Sequence, residues 1–247
     1  MKGAIALVTG SSRGLGRAIA RELAAAGCTV IVHGATDSPA LRSALRAVRR
    51  VSPASRAVVA DLGNEAAIRA MFAGLKRLDI LVNNAAMQNR SPFLDLKAED
   101  FDRVLAVNLR APFLCGQLAA RVMRRRRAGK IINISSVHAI APKRNFAHYS
   151  SSKGGLETLT RAMALELATD GIQVNSIIAG AFETEMTPAA RQTKLLPAIP
   201  AGRIGQPIEL ARLVRFLSGR DCDYLTGASL VVDGGLTLGF CASRPDL

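Results

Sequence analysis

The chain has 247 residues, 49% of them apolar, and 33 Lys and Arg against 19 Asp and Glu give it a formal net charge of +14. That apolar share supplies one large core, and no low-complexity tract, linker or internal repeat divides the chain, so residues 1–247 are expected to form a single domain. The charge favours anionic partners, but two tyrosines, no tryptophan and no recognisable binding motif weigh against nucleic acid as the main one.

The opening stretch "MKGAIALVTG" carries one lysine and an apolar run that stops at Thr9-Gly10. A secretory core needs roughly 7–15 apolar residues and a cleavage site. No later run approaches the roughly 18 residues of a membrane span. A soluble, cytoplasmic protein with no membrane partner is expected. Cys28, Cys115, Cys222 and Cys241 are scattered and form no CxxC, so reduced thiols are expected, with neither a disulfide framework nor a metal site.

In chain order, Ile5–Thr9 reads as a buried strand, followed by a glycine-rich turn and a helix over Gly14–Ala26. "CTVIVHG" is a second strand, with a helix over Pro39–Arg50. "ASRAVVADL" is a third, with a helix over Glu65–Leu75. "LDILVNNA" is a fourth, followed by one long helix over Ala98–Arg127 whose four terminal arginines read as a solvated end. "KIINISS" is a fifth, leading to a helix over Tyr149–Thr169; "IQVNSIIAG" and "SLVVDGG" are the sixth and seventh. The strands are continuous apolar runs, as in parallel sheets covered on both faces. The alternation predicts an α/β fold of Rossmann type: a doubly wound parallel sheet of about seven strands with helices on both faces.

Between the first strand and helix, "TGSSRGLG" places glycines at 10, 14 and 16. A tight turn, close backbone approach and a helix N-terminus aimed at anionic charge are the needs of pyrophosphate binding. Later, "YSSSK" puts Tyr149 and Lys153 four residues apart, on one helical face. A nearby ammonium lowers a phenol's pKa from its usual value of about 10, so Lys153 is expected to bring Tyr149 towards general acid–base use.

The chain resembles the short-chain dehydrogenase/reductase family over essentially its whole length. The motifs carrying the resemblance are TGxxxGxG at Thr9–Gly16, Asp61-Leu62, "NNAA" at Asn83–Ala86, "VNL" around Asn108, "ISS" ending at Ser136, and YxxxK at Tyr149–Lys153. The resemblance implies an NAD(P)-dependent oxidoreductase that moves hydride between a nicotinamide and an alcohol or carbonyl. It implies a catalytic set of Asn108, Ser136, Tyr149 and Lys153. In that set Tyr149 transfers the proton, Ser136 polarises the same oxygen, Lys153 also binds the nicotinamide ribose, and Asn108 holds a water that links Lys153 to solvent.

It further implies cofactor contacts from Gly10, Ser12, Arg13, Gly14, Leu15, Gly16, His33, Asp61, Leu62, Asn83, Ala85, Tyr149, Lys153, Gly180, Phe182 and Thr184. The family's acidic ribose position aligns with Gly34, followed by Ala35, while Arg13 stands in the glycine turn; NADP(H) is therefore favoured over NAD(H). Ala86 and Ala179 replace a family glycine and proline, which predicts retuned cofactor binding through a bulkier wall and a looser turn.

"SVHAIAPKRNFAHYSSSKGG" is similar to the corresponding segment of bacterial glucose 1-dehydrogenases, implying a sugar or polyol substrate with His138 and His148 as hydroxyl contacts. Lys143 and Arg144 are read either as exposed loop charges or as groups that recognise an acidic sugar. "VTGSSRGLGRAIA" and "PAGRIGQPIELA" are similar to 3-oxoacyl-acyl carrier protein reductases, which makes an acidic acyl carrier protein the alternative partner. Arg127 falls near one of their docking arginines, but Asp170 reverses the charge of the other. A non-catalytic cofactor-binding regulator is the reading from a different class. The family's usual homotetramer would use the fourth and fifth helices, where Phe113 and Leu156 are interface or core. Glu183–Ala201 is expected to form a mobile substrate loop.

Overall fold

The structure, a computed structural model, describes residues 1–185, 187 and 195–238. Seven strands form one parallel sheet: β1 (Ile5–Val8), β2 (Thr29–Gly34), β3 (Arg56–Val59), β4 (Ile80–Asn83), β5 (Gly129–Ser136), β6 (Ile172–Ala179) and β7 (Ser229–Val232). Their order is β3-β2-β1-β4-β5-β6-β7. The helices are α1 (Gly14–Ala25), α2 (Pro39–Arg49), α3 (Glu65–Phe72), α4 (Ala98–Leu105), α5 (Ala111–Arg124), α6 (Ala147–Leu167) and α7 (Pro207–Leu217).

Successive strand residues serve opposite faces, as the pleat requires. Ala6, Val8, Val30, Val32, Ile80 and Val82 pack with Ile19 and Leu23 of α1 and with Leu210 and Val214 of α7. Leu7, Ile31, Leu81 and Ile131 pack the other way, against Ile68 of α3 and Leu114, Cys115 and Met123 of α5. Two apolar layers therefore hold the sheet, which explains the uninterrupted hydrophobic strands. Cys28, Cys115 and Cys222 are buried and free, and burial pushes the Cys28 thiol up to about 11 and the Cys115 thiol up to about 12. Cys241 lies outside the described residues.

Three differences from the sequence reading have physical causes. The long helix over Ala98–Arg127 is interrupted by a π-turn at Ala106–Arg110, where the Ala111 amide donates to the Ala106 carbonyl. It ends at Arg124, and Arg127 turns into the left-handed region with φ 48° and donates its guanidinium to the Thr169 carbonyl at 2.8 Å. The helix α7 was not expected at all. Its signals are Pro207 in the first turn, a capping box in which the Gln206 amide donates to Glu209 Oε2 at 2.7 Å, and buried Leu210, Ala211, Val214 and Leu217 at helical spacing.

The sheet order reverses direction at β1, which lies between β2 and β4. A crevice opens at such a switch point, beyond the carboxyl ends of the strands. No described helix is long and apolar enough to cross a membrane.

Candidate active site

A cavity of about 1790 Å³ occupies that crevice, and strand ends and helix starts line it. Its first wall is the turn after β1. Thr9 fixes this turn: its hydroxyl accepts from the Asn84 and Ala85 amides at 2.9 and 3.0 Å. Asn84 returns the contact, donating through Nδ2 to the Thr9 and Gly10 carbonyls at 2.9 and 3.1 Å. A Cβ on Gly16 would stand 2.4 Å from both the Gly10 carbonyl and Asn84 Nδ2, so only glycine lets the turn close on the start of α1. Arg13 precedes α1 without capping it through its side chain. Backbone N–H groups at a helix N-terminus opening onto a cavity suit an anionic diphosphate. Ser12, Arg13, Gly14 and Leu15 line the cavity beside Gly10 and Gly16.

His33 is 2% exposed and braces this turn from β2. Its Nδ1 accepts from the Gly10 amide at 2.9 Å and its Nε2 donates to the Ala60 carbonyl at 3.0 Å, which sets a neutral tautomer. Burial lowers its pKa below the usual 6.5, against the opposing hydrogen bond to Ala60. His33 also lines the cavity, with both of its ring nitrogens committed to backbone.

At the end of β2, Gly34 and Ala35 line the cavity. The next carboxylate, Asp37, is absent from its lining and pairs with Arg42 at 2.7 Å. Asp61 and Leu62 line the same end, the Asp61 carboxylate accepting from the Gly63 amide at 2.9 Å. Arg13 reaches over the cavity to Glu185 at 3.5 Å, an exposed pair.

Asn83 is not at the site. It is buried and donates to Asn133 Oδ1 at 2.8 Å, and Asn133 donates to Thr160 Oγ1 at 2.8 Å. As the last residue of β4 it faces the polar underside of α6, and the next residue, Asn84, takes the cavity wall instead. Ala85 and Ala86 also line the wall.

The far wall comes from β5 and the first turns of α6. Ser136, Tyr149 and Lys153 line it together. The Ser136 hydroxyl stands beside the Tyr149 phenol on this wall. Burial raises the phenol's pKa above its usual value, and the Ser136 contact lowers it only in part. This corrects the expected net lowering by Lys153. That ammonium lies 5.7 Å from the Tyr149 ring centroid and donates to the Ile134 carbonyl at 2.8 Å. Burial brings the Lys153 pKa down to about 8, while the Glu157 carboxylate pulls it back up.

Asn108 stands behind the wall, fully buried in the π-turn. Its carboxamide accepts from the Met87 amide and donates to the Met87 carbonyl, both at 2.9 Å, and donates to Ser152 Oγ at 3.1 Å. Ser152 Oγ in turn donates to the Tyr149 carbonyl at 2.7 Å. The Asn108 side chain is a clamp between the 85–87 turn and α6.

Gly180, Phe182 and Thr184 close the cavity after β6. The turn at Ala179-Gly180 is not loose. The Gly180 amide donates to the Val232 carbonyl at 2.9 Å, and a Cβ there would meet Asp233 at 2.6 Å. Of the two histidines expected to touch substrate, His138 lines the cavity, edge-on to Tyr149 at 5.8 Å. His148 is fully buried, hydrogen-bonded to Asn89 at 2.6 Å, and outside the lining. Its place on α6 turns it away from the cavity, so that expectation is corrected. Part of the expected substrate loop, including Pro188, lies outside the described residues.

Sequence reasoning missed Asn84, Ser152, Met87 and the Ile134 carbonyl. The first two are polar residues beside recognised motif positions. The last two act through backbone, which leaves no side-chain signature.

A family model described as enoyl-(acyl carrier protein) reductase matches residues 10–237. The chain is similar to 3beta-hydroxysteroid dehydrogenase 1 of Eggerthella lenta, 38% identical and covering 96% of this chain and 95% of that protein. It is equally similar to the 3-oxoacyl-acyl-carrier-protein reductase of Aquifex aeolicus, at 38% identity over 96% of this chain and 98% of the other. Among solved structures, a gluconate 5-dehydrogenase from Burkholderia cenocepacia in complex with NADP and tartrate superposes with a TM-score of 0.89, at 37% identity over 97% of both chains.

Proposed function

The chain belongs to the short-chain dehydrogenase/reductase family and is an NAD(P)-dependent oxidoreductase; from that premise we propose that it acts on a hydroxyl of a sugar or polyol, or on the matching carbonyl, and prefers NADP(H). The observation that carries the reading is that Ser136, Tyr149 and Lys153 line one wall of a cavity that runs on to the glycine turn.

A bound nicotinamide supplies or accepts the hydride. The residues of this chain do the rest. Ser136 hydrogen-bonds the substrate oxygen, and Tyr149 gives it a proton in reduction or takes one in oxidation. The buried Lys153, anchored on the Ile134 carbonyl, hydrogen-bonds a ribose hydroxyl. Asn108 positions Tyr149 through Ser152. The N-terminus of α1 holds the diphosphate. Arg13, with no carboxylate from Gly34 or Ala35 opposing it, receives a 2′-phosphate.

The sugar reading is supported by the polar wall at Ser136 and His138 and by likeness to a gluconate dehydrogenase whose structure holds a hydroxy acid. Oxoacyl reduction on an acidic carrier protein is less well supported. Arg127 is committed to the Thr169 carbonyl, and Asp170 pairs with Arg124 at 3.0 Å. We also read the chain as a homotetramer joined through α4–α5 and α6, where Phe113 of α5 is exposed; Leu156 of α6 is buried core and no candidate for that interface.

Nicotinamide absorbance followed with NADP or NAD across aldoses, polyols and aldonates tests the proposal. Turnover with at least one, faster with NADP, and lost by about a thousandfold in Tyr149→Phe is expected. A Tyr149→Phe variant with full function would instead identify a cofactor-binding regulator.

A further inference from the structure

We infer that the substrate carries an anionic group, the carboxylate of a sugar acid, and that Lys143 is the specificity-determining residue that reads it; this rests on the sugar reading above. Between Ile134 and Phe146 the cavity wall includes Ser136, His138, Pro142, Lys143 and Phe146, and Lys143 is the ionised member of that stretch. Its ammonium lies 5.6 Å above the Phe146 ring. Phe146 stacks on His138 at 6.2 Å, and His138 meets the Tyr149 ring at 5.8 Å. A continuous row of side chains therefore leads from the proton-transfer group to a cation at the outer end of the same wall.

The charge on this wall favours an incoming anion. Among the described residues Lys143 forms no ion pair. Lys143 also lines a smaller depression of about 510 Å³ that it shares with Arg90 and Arg144, and no acidic residue lines it. A cation pressed on an aromatic face is screened from water on one side, which strengthens a charge-assisted hydrogen bond to a carboxylate.

The loop that carries Lys143 is held in place. The Phe146 amide donates to the Lys143 carbonyl at 3.2 Å, and buried Phe146 anchors the turn. The Ser91 amide donates to the Asn145 carbonyl at 3.0 Å. Oriented so that its oxygen faces Arg90, the Asn145 carboxamide accepts from that guanidinium at 3.1 and 3.2 Å. Only the flexible lysine stem needs ordering when a carboxylate arrives, which limits the entropic cost.

A charge read far from the reacting carbon contributes the same binding in ground and transition states. Its loss should raise KM and leave kcat nearly unchanged. The test compares gluconate with glucose and sorbitol on wild type, Lys143→Met and Lys143→Arg, with NADP in excess and thermal melts to establish folding. Wild type should prefer gluconate. Lys143→Met should raise KM for gluconate by about 10- to 100-fold, at least tenfold more than for either neutral compound, and Lys143→Arg should recover part of it. Preference for neutral sugars, or equal losses on acid and neutral substrates in Lys143→Met, overturns the inference and leaves the sugar reading standing. Turnover of an acetoacetyl thioester with none on any sugar, polyol or aldonate overturns both.

Discussion

Asn108 and Met87 exchange two hydrogen bonds of 2.9 Å, the side chain of one replacing the strand partner that the backbone of the other lacks. The pairing is selective for a carboxamide, since only that group both donates and accepts in this geometry. Asn108→Asp keeps the acceptor for the Met87 amide but loses the donors to the Met87 carbonyl and to Ser152. Stability should fall by roughly 2–4 kcal/mol, because buried partners are left unpaired. Turnover should fall by about a hundredfold through misplacement of Tyr149. Denaturant melts and steady-state rates check both, and a stable variant with intact turnover would remove Asn108 from the argument.

His33 predicts an acid-sensitive cofactor site. Its folded pKa lies below 6.5 because of burial, so the unfolded chain takes up the proton first. Stability from this group is full above about pH 6.5 and drains away as pH falls towards the folded value. Protonation also places an N–H where Nδ1 now accepts from Gly10, which opens the glycine turn. His148 shifts in the same direction, so the measurement is the difference between wild type and His33→Asn. Cofactor affinity in wild type should weaken on going from about pH 7 to about pH 5, and His33→Asn should flatten that dependence.

Lys153 and Glu157 give an alkaline signature. With Lys153 held at about 8, turnover that needs its charge should decline above about that pH. Glu157 opposes the shift, and its Oε2 is held by the Ser176 and Ser229 hydroxyls. Glu157→Gln preserves those contacts but removes the charge, so the decline should move to lower pH. The linkage is separable too. Between about pH 8 and 10.5 the unfolded chain keeps the lysine proton that the folded chain has lost, so wild type should gain stability relative to Lys153→Met.

Arg13 and Glu185 form an exposed pair worth roughly 0–1 kcal/mol. Freeing Arg13 for a 2′-phosphate therefore costs little. Arg13→Ala should weaken NADP about tenfold and NAD less than twofold, and Glu185→Gln should tighten NADP by no more than about threefold. Equilibrium titrations with both cofactors would expose an Arg13 that plays no part.

The strands, the glycine turn and the Ser136–Tyr149–Lys153 row were legible because each rests on a local pattern. Apolar runs mark strands buried on both faces, and fixed spacing marks one helical face. Asn83 and His148 were misplaced for a common reason: a motif identifies neighbours in sequence, while pleat and helix phase decide which neighbour faces the cavity. Asn84, one pleat on from Asn83, shows how small that margin is. The Asn108 clamp was invisible because its partner is the backbone of Met87, whose side chain carries no trace of it. Helix α7 carries local signals as well, in the Gln206–Glu209 cap and Pro207 of its first turn, but it lies between the sixth and seventh strands away from every motif of the site.

The π-turn at Ala106–Arg110 makes the long helix a two-phase object. In front of it α4 leans on α6; behind it α5 leans on α3, and one surplus residue accommodates the two settings. Each residue of an α-helix advances the azimuth by about 100°. Loss of one codon within Ala106–Arg110 would straighten the rod yet force a choice: keep Asn108 on Met87, or keep Leu114, Cys115 and Met123 in their layer. No side-chain exchange in the same segment imposes that dilemma. Asn108 apart, this stretch should therefore tolerate substitution far better than it tolerates a change of length.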